Sequence, residues 1–441
     1  MSDWRLGQAT SLAAWALFAL PLAAHADCGV IEGGIPNDII MPLDVGHVRK
    51  SLADVGIGIG GYTVNEGFGN VSGGIHQGAT YDGVLELHLY GDLQKVGLWN
   101  GLCFYANGFQ IHGQSITPTD IGSLTTVSSF EGTPATRLFE LWFEQSLLDK
   151  HLSIRFGQLA ADSEFLIDKG ASVFLETSWP ALLAQDLPSG GPTYPLAATG
   201  VRVSIKPNDR LGFMLAVFNG DPAGPHCTSD PQVCNNTGLD FLFDSPPLLM
   251  AEGFYKYSQD GLAGTIKLGG WNHFGNFTRP TGSSPVPVTG LPDVIHDDFG
   301  LYAVFDQAVW RVPGSVGKGV DLFGRILGAP SDENLVDFYA DGGVTFSGMV
   351  PHRPDDSLAI GFDYSRVSDK VHGIDLVSGV PVERNFEALL EVCYTMQLNP
   401  GWTLQPDFQY IVHPGGNVPN ETRTGIVGDA TVLGIRTTVN F

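Results

Sequence analysis

Residues 137–145 read RLFELWFEQ, and every second side chain belongs to a different world: Phe139, Leu141 and Phe143 against Glu140, Trp142 and Glu144. A strand shows alternate side chains to opposite faces. The same two-faced pattern recurs along the chain. Leu152, Ile154 and Phe156 oppose Ser153, Arg155 and Gly157; Val201, Val203 and Ile205 oppose Arg202, Ser204 and Lys206. Leu358, Ile360, Phe362 and Tyr364 oppose Ala359, Gly361, Asp363 and Ser365. In 386–397 Leu389 and Cys393 fall on the otherwise polar side.

Sixteen segments follow, with the alternation less clean in 100–111, 298–311 and 319–328: 55–64, 80–91, 100–111, 137–146, 151–158, 200–206, 211–219, 248–257, 262–273, 298–311, 319–328, 336–347, 358–366, 385–397, 402–412 and 430–441. Alternate connections are short (92–99, 147–150, 207–210, 258–261, 312–318, 348–357, 398–401). The others are long (65–79, 112–136, 159–199, 220–247, 274–297, 367–384, 413–429), with 329–335 the exception. Short turns at one end and long loops at the other describe an outer-membrane barrel. In lipid every backbone polar group must be paired, and a closed barrel does this without a free edge. The expected fold is therefore all-β, a sixteen-stranded antiparallel transmembrane β-barrel with apolar faces outward. Two soluble sandwiches would bury the greasy faces against each other and leave the loop alternation unexplained.

The chain ends agree. Arg5 precedes the apolar stretch Leu12–Ala24, followed by Ala24-His25-Ala26, a secretory signal pattern cut after residue 26. Thirteen apolar residues are too few to span a bilayer as a helix. A lipoprotein reading of Cys28 lacks the aliphatic and small residues expected before it. Residues 27–54 are expected to form an N-terminal periplasmic segment, with a short helix over 36–52, and 55–441 the barrel domain. Phe441 ends an alternating strand, as in barrels inserted by the outer-membrane assembly machinery, which is thereby an expected partner.

Lys and Arg number 23 against 47 Asp and Glu, a net charge of −24. That excludes nucleic acid as a partner, since phosphate binding needs a basic surface. It suits solvated loops, or an acidic outer face that meets lipopolysaccharide through divalent cations. Of five cysteines, Cys227 and Cys234 sit close together in HCTSDPQVC and are expected to form a loop disulfide. The pairing of Cys28, Cys103 and Cys393 does not follow from the sequence. No G-x-S-x-G, H-E-x-x-H or C-x-x-C is present, so neither an enzyme nor a metal or other cofactor is expected.

Sixteen strands leave room for a water-filled channel. The 41-residue connection 159–199 carries ASVFLETSWPALLA (171–184), too apolar to wave in solvent. It is expected to fold inward between the fifth and sixth strands and narrow the lumen. FELWFEQSLLDKHLSIRFGQLAADSEF (139–165), YPLAATGVRV (194–203) and VFNGDPAGP (217–225) resemble the carbohydrate-selective outer-membrane porin family (OprB-like). NVSGGIHQGATYDG (70–83) and GLWNGLCFYANGF (97–109) look similar too. The resemblance spans about 50–441 and implies a sixteen-stranded channel for monosaccharides such as glucose. A general or ion-selective diffusion porin is the alternative.

The residues themselves suit a sugar. Carboxylates accept its hydroxyls, guanidinium groups donate to its oxygens, and aromatic rings cover its C–H faces. Lumenal parity nominates Glu140, Trp142, Glu144, Arg155 and Arg202, and the inward loop adds Asp162, Glu164 and Asp168. The bland reading of these charges is generic hydration of a pore. The lipid bilayer surrounds the barrel, and a homotrimer is one assembly open to it.

Overall fold

The computed structural model describes residues 48–176, 179–278, 294–315, 317–371, 383–422 and 425–441. The signal pattern, and residues 36–47 of the segment expected to be helical, lie outside them. A helix, α1, covers Val48–Asp54, and Arg49 on it donates from Nη2 to Ile59 O at 2.8 Å.

Sixteen strands follow. They are β1 (Ile57–Gly74), β2 (Gly78–Asp92), β3 (Leu102–Gly113), β4 (Ala135–Leu147), β5 (Leu152–Leu159), β6 (Ala198–Ile205), β7 (Leu211–Asn219) and β8 (Pro247–Gln259), then β9 (Leu262–Thr278), β10 (Val294–Arg311), β11 (Gly319–Gly328), β12 (Val336–Ser347), β13 (Ser357–Val367), β14 (Phe386–Asn399), β15 (Trp402–Val412) and β16 (Gly428–Asn440). Each pairs antiparallel with its sequence neighbours, and β1 pairs with β16 to close the barrel. Closure leaves no free edge, which lipid demands. Beyond β16, Phe441 exchanges two backbone hydrogen bonds with Gly61 of β1, at 3.0 and 2.9 Å. No helix among the described residues is long and apolar enough to cross a membrane.

The outer face carries the apolar set. Leu87, Val201, Leu215, Leu268, Leu301, Ile326, Phe362 and Leu433 are all exposed. Trp99, Tyr255, Trp310 and Trp402 are exposed at the short-turn end, where an aromatic girdle meets the headgroups.

Two sequence expectations fail here. Connection 65–79 is not a long loop: β1 runs on to Gly74, leaving only Ile75, His76 and Gln77 before β2. Alternation is invisible there because the outward positions are Asn65, Gly67 and Gly69, while Glu66, Phe68 and Asn70 are buried inside. The second concerns Phe139, expected on the lipid face. The β3–β4 register slips between Ala106 and Gly108. Asn107 then faces two residues, and its Oδ1 accepts from Glu140 N at 2.9 Å. At this bulge Phe139 and Glu140 both turn inward, each 6% exposed. The Phe139 ring packs 5.2 Å from Phe109 and 6.1 Å from Tyr194.

Connecting segments fold inward and pack against the inner wall. Within 159–197, Phe165, Leu166, Trp179, Leu182, Leu183 and Leu187 pack against inward residues of the wall such as Met250, Trp271, Tyr302 and Tyr339. A short helix, α2 (Ala181–Asp186), lies against β12. Farther round, Phe174 and Leu175 pack with Phe323, Ala359, Leu389, Cys393 and Ile411. Leu389 and Cys393 break the polar pattern of β14 because loop, not water, covers them.

Residues 114–134 fold in as well. Gln409 Nε2 donates to Val127 O at 2.9 Å, and Leu124 N and Thr125 N donate to Glu387 at 2.8 and 3.0 Å. The loop after β7 holds the Cys227–Cys234 disulfide, with Cα atoms 5.8 Å apart. Cys103 is also disulfide-bonded, whereas Cys393 is a buried free thiol.

Candidate functional site

The central residues of β4, β5 and β6 lie side by side on the inner face. Glu144 pairs in register with Arg155, and Arg155 with Arg202. Two positions back on β4, Trp142 faces Gly157. A Cβ at 157 would come 2.2 Å from Leu141 O and 2.8 Å from the Trp142 Cα, at a φ of +139°. The Arg155 guanidinium lies over the indole, 3.7 Å from its centroid, a close cation–π contact. Tyr105 stands 5.1 Å from Trp142, and Tyr90 4.6 Å from Tyr105.

Glu164 comes down from the inward loop to complete a square. Arg202 donates from Nε to Glu164 Oε2 at 2.7 Å and from Nη2 to Glu164 Oε1 at 2.7 Å. Its Nη2 also meets Glu144 Oε2 at 2.9 Å, and its Nη1 donates to Ser153 Oγ at 2.7 Å. Arg155 donates from Nε to Glu144 Oε2 at 2.7 Å, and its Nη1 lies 3.3 Å from Glu164 Oε1. Two carboxylates and two guanidinium groups thus alternate, with formal charge cancelling. Arg202 is nearly buried, but the Arg155, Glu144 and Glu164 side chains are 17%, 20% and 15% exposed. Three of the four corners are therefore partly exposed.

The structure sorts the eight nominated residues. Trp142, Glu144, Arg155, Glu164 and Arg202 come together. The other three hold loop backbone. Glu140 Oε1 accepts from Ala160 N at 3.1 Å. Asp162 Oδ2 accepts from Thr193 Oγ1 at 2.6 Å and Tyr194 N at 3.0 Å, and burial pushes its carboxyl up. Asp168 Oδ1 accepts from Gly170 N at 2.8 Å and Ala171 N at 3.2 Å. Burial, and then the Asp306 carboxylate, push Asp168 up to about 8.

Sequence reasoning missed Tyr90, Tyr105 and Ser153. Tyr105 has lumenal parity, but its strand carries Phe104 on the other face, so polarity does not separate the two sides. It also missed Arg137, which the bulge turns inward, where it donates to Asn235 O.

The match to known proteins decides the family. The description carbohydrate-selective porin, OprB family, covers residues 76–441. The chain belongs to the OprB family. Porin B of Pseudomonas aeruginosa is 25% identical over 455 aligned positions, covering 93% of this chain and 95% of its own. The high-pH structure of Pseudomonas putida OprB superposes with a TM-score of 0.79 at 21% identity, covering 90% of this chain and 97% of that one. The outer-membrane channel DcaP of Acinetobacter baumannii has a TM-score of 0.51 at 10% identity, covering 87% of this chain and 97% of its own. This OprB-family barrel is an outer-membrane channel for carbohydrates.

Proposed function

We propose that the Glu144–Arg155–Glu164–Arg202 square, with Trp142 under Arg155, is where a monosaccharide exchanges water for protein on its way through the lumen. The observation that carries this is the alternation of acceptor and donor beside an indole. A sugar ring alternates hydroxyl donors and ring or hydroxyl acceptors around weakly apolar C–H faces, so one such surface serves both. The square's balanced charge favours a neutral solute over either ion. Affinity is expected in the millimolar range, because a transported solute must also leave. Asp162, Asp168 and Glu140 act indirectly in this reading: they hold the loop that carries Glu164. The barrel passes solute and performs no chemistry.

Liposome swelling tests it. Neutral monosaccharides should enter faster than charged amino acids of similar size. Equal rates would leave a general diffusion porin as the better account. Two finer expectations belong to the same reading. Insertion by the outer-membrane assembly machinery is supported by Phe441, whose backbone seals the last strand onto the first; its removal should lower the yield of folded barrel. Assembly as a homotrimer is tested by the mass of the detergent-solubilised protein.

A further inference from the structure

We propose that Tyr90, with the His88 imidazole beside it, forms a second sugar subsite: an aromatic platform for the weakly apolar C–H face of a pyranose ring, set apart from the Glu144–Arg155–Glu164–Arg202 square. The proposal rests on the reading of this lumen as a sugar path.

Strand register lays one row of residues across the inner wall: Gly58 on β1, Tyr90 on β2, Tyr105 on β3, Trp142 on β4 and Gly157 on β5. The three rings between the glycines follow one another closely. The Tyr90 and Tyr105 centroids are 4.6 Å apart, and those of Tyr105 and Trp142 5.1 Å. At the β5 end the row is closed, because the Arg155 guanidinium lies 3.7 Å from the indole centroid. Trp142 thus has a cation on one side and Tyr105 on the other, and Tyr105 lies between two rings. Each is only 9% exposed, so little of either ring is left for a solute.

The β1 end is different. Gly58 has no side chain to lay beside Tyr90, whose ring is half-buried. His88, two residues back on the same face, stands 5.3 Å from Tyr90 at an interplanar angle of 72°. Its Nδ1 lies 2.9 Å from Glu86 Oε2, and its side chain is 24% exposed. The register partner of His88 is Gly60, where a Cβ would come 2.5 Å from the His88 Nε2, so the imidazole needs a glycine there. Of the row's three rings, Tyr90 is the most accessible.

An aromatic face suits a pyranose because the C–H groups of the sugar form weakly apolar patches, and a tyrosine adds a hydroxyl at its tip. Three strand spacings separate β2 from β5, roughly 14 Å, farther than one monosaccharide reaches. The sugar therefore meets Tyr90 and the square in separate steps. Two weak subsites suit transport better than one tight one, since a solute must leave as readily as it enters.

The test is block of the single-channel ion current by glucose and by sorbitol, an open-chain polyol of similar size with no ring face. In the full barrel, Tyr90→Ala should weaken glucose block by roughly 3- to 10-fold, the worth of one ring contact. It should leave sorbitol block and ion selectivity as they are, and Tyr90→Phe should restore glucose block. If Tyr90→Ala does not fold, Tyr90→Leu, apolar and bulky but without a ring, carries the comparison. Glucose block unchanged without the ring, while Arg155→Ala weakens it, overturns this subsite and leaves the sugar reading standing. Equal weakening for glucose and sorbitol overturns it too, because Tyr90 then acts through pore width alone. A native channel that glucose does not block overturns both.

Discussion

Arg155→Ala separates a sugar-gripping site from a merely wet pore. Arg155 is the corner of the square with the most to lose and the least to hold up. Glu144 keeps its 2.9 Å contact with Arg202 when Arg155 goes, and Glu164 keeps two at 2.7 Å. The strands and the loop should therefore survive, since substitutions on the lumen face of a barrel tune selectivity. What disappears is the Nη1 donor with its long 3.3 Å contact, the one most easily turned to a solute, and the cation above Trp142. Losing one charge-assisted hydrogen bond costs ~1.5–3 kcal/mol, or about 10- to 150-fold in sugar affinity. The square also passes from neutral to a net charge of −1, so cation selectivity should rise. Arg155→Lys divides the two effects: it keeps the charge but loses the planar fork, so ion selectivity should hold while sugar block weakens. The assay is single-channel conductance with sugar titration, reading block of the ion current. Unchanged sugar block in both variants, together with altered ion selectivity in Arg155→Ala, would refute the site and leave Arg155 as pore lining.

Three further outcomes are expected. The raised Asp168 pKa stabilises the folded loop fully at acid pH, below the ordinary carboxylate value of 3.8, and that contribution is lost as pH rises through about 8; open-channel noise should grow across that range, and Asp168→Asn should abolish the step while keeping the Gly170 and Ala171 caps. Leu268, 64% exposed on the outer face, should not tolerate a charge: Leu268→Arg costs ~2–4 kcal/mol if it sits near the bilayer midplane, visible as a lower yield of heat-modifiable barrel. Cys227 and Cys234 should resist alkylation until reduced, and their double replacement by Ser should cost about 2–3 kcal/mol by chain entropy, read as faster proteolysis of the 220–247 loop with channel conductance intact.

The barrel was legible because lipid imposes a strict rule on sequence. Wherever the outer face meets acyl chains, Leu, Val, Ile and Phe must recur at period two, and sixteen such runs are readable. Where the outer positions are Asn65, Gly67 and Gly69, the rule is silent and half of β1 reads as loop. The inner face obeys no equivalent rule, because it meets water in some places and folded-in chain in others. Leu389 and Cys393 marked such a place, and their misfit parity was a docking signal for Phe174 and Leu175. The square was legible in part for the same reason. Glu144, Arg155 and Arg202 follow from parity on adjacent strands, and Glu164 from the composition of a long apolar loop. What parity cannot supply is which carboxylates hold backbone N–H groups and which face the lumen. Glu140 and Glu144 look alike in FELWFE, yet one caps Ala160 and the other meets two arginines.

The bulge at Phe139 and Glu140 accounts for that difference. Without it, strict alternation would send Arg137 and Phe139 to lipid. With one extra residue opposite Asn107, both turn inward while Trp142 and Glu144 stay there. The inner face of β4 thus carries two registers. Below the bulge, Trp142, Glu144 and Ser146 face the lumen at period two. Above it, Phe139 and Arg137 meet the inward-folded Tyr194 and the 220–247 loop. Glu140 stands at the switch and fastens the start of the 159–197 segment through Ala160 N. The loop descends from that point, and four residues beyond Ala160 it delivers Glu164 to Arg202. A single irregularity in one strand therefore sets both the anchor of the constricting loop and the height at which its carboxylate completes the square.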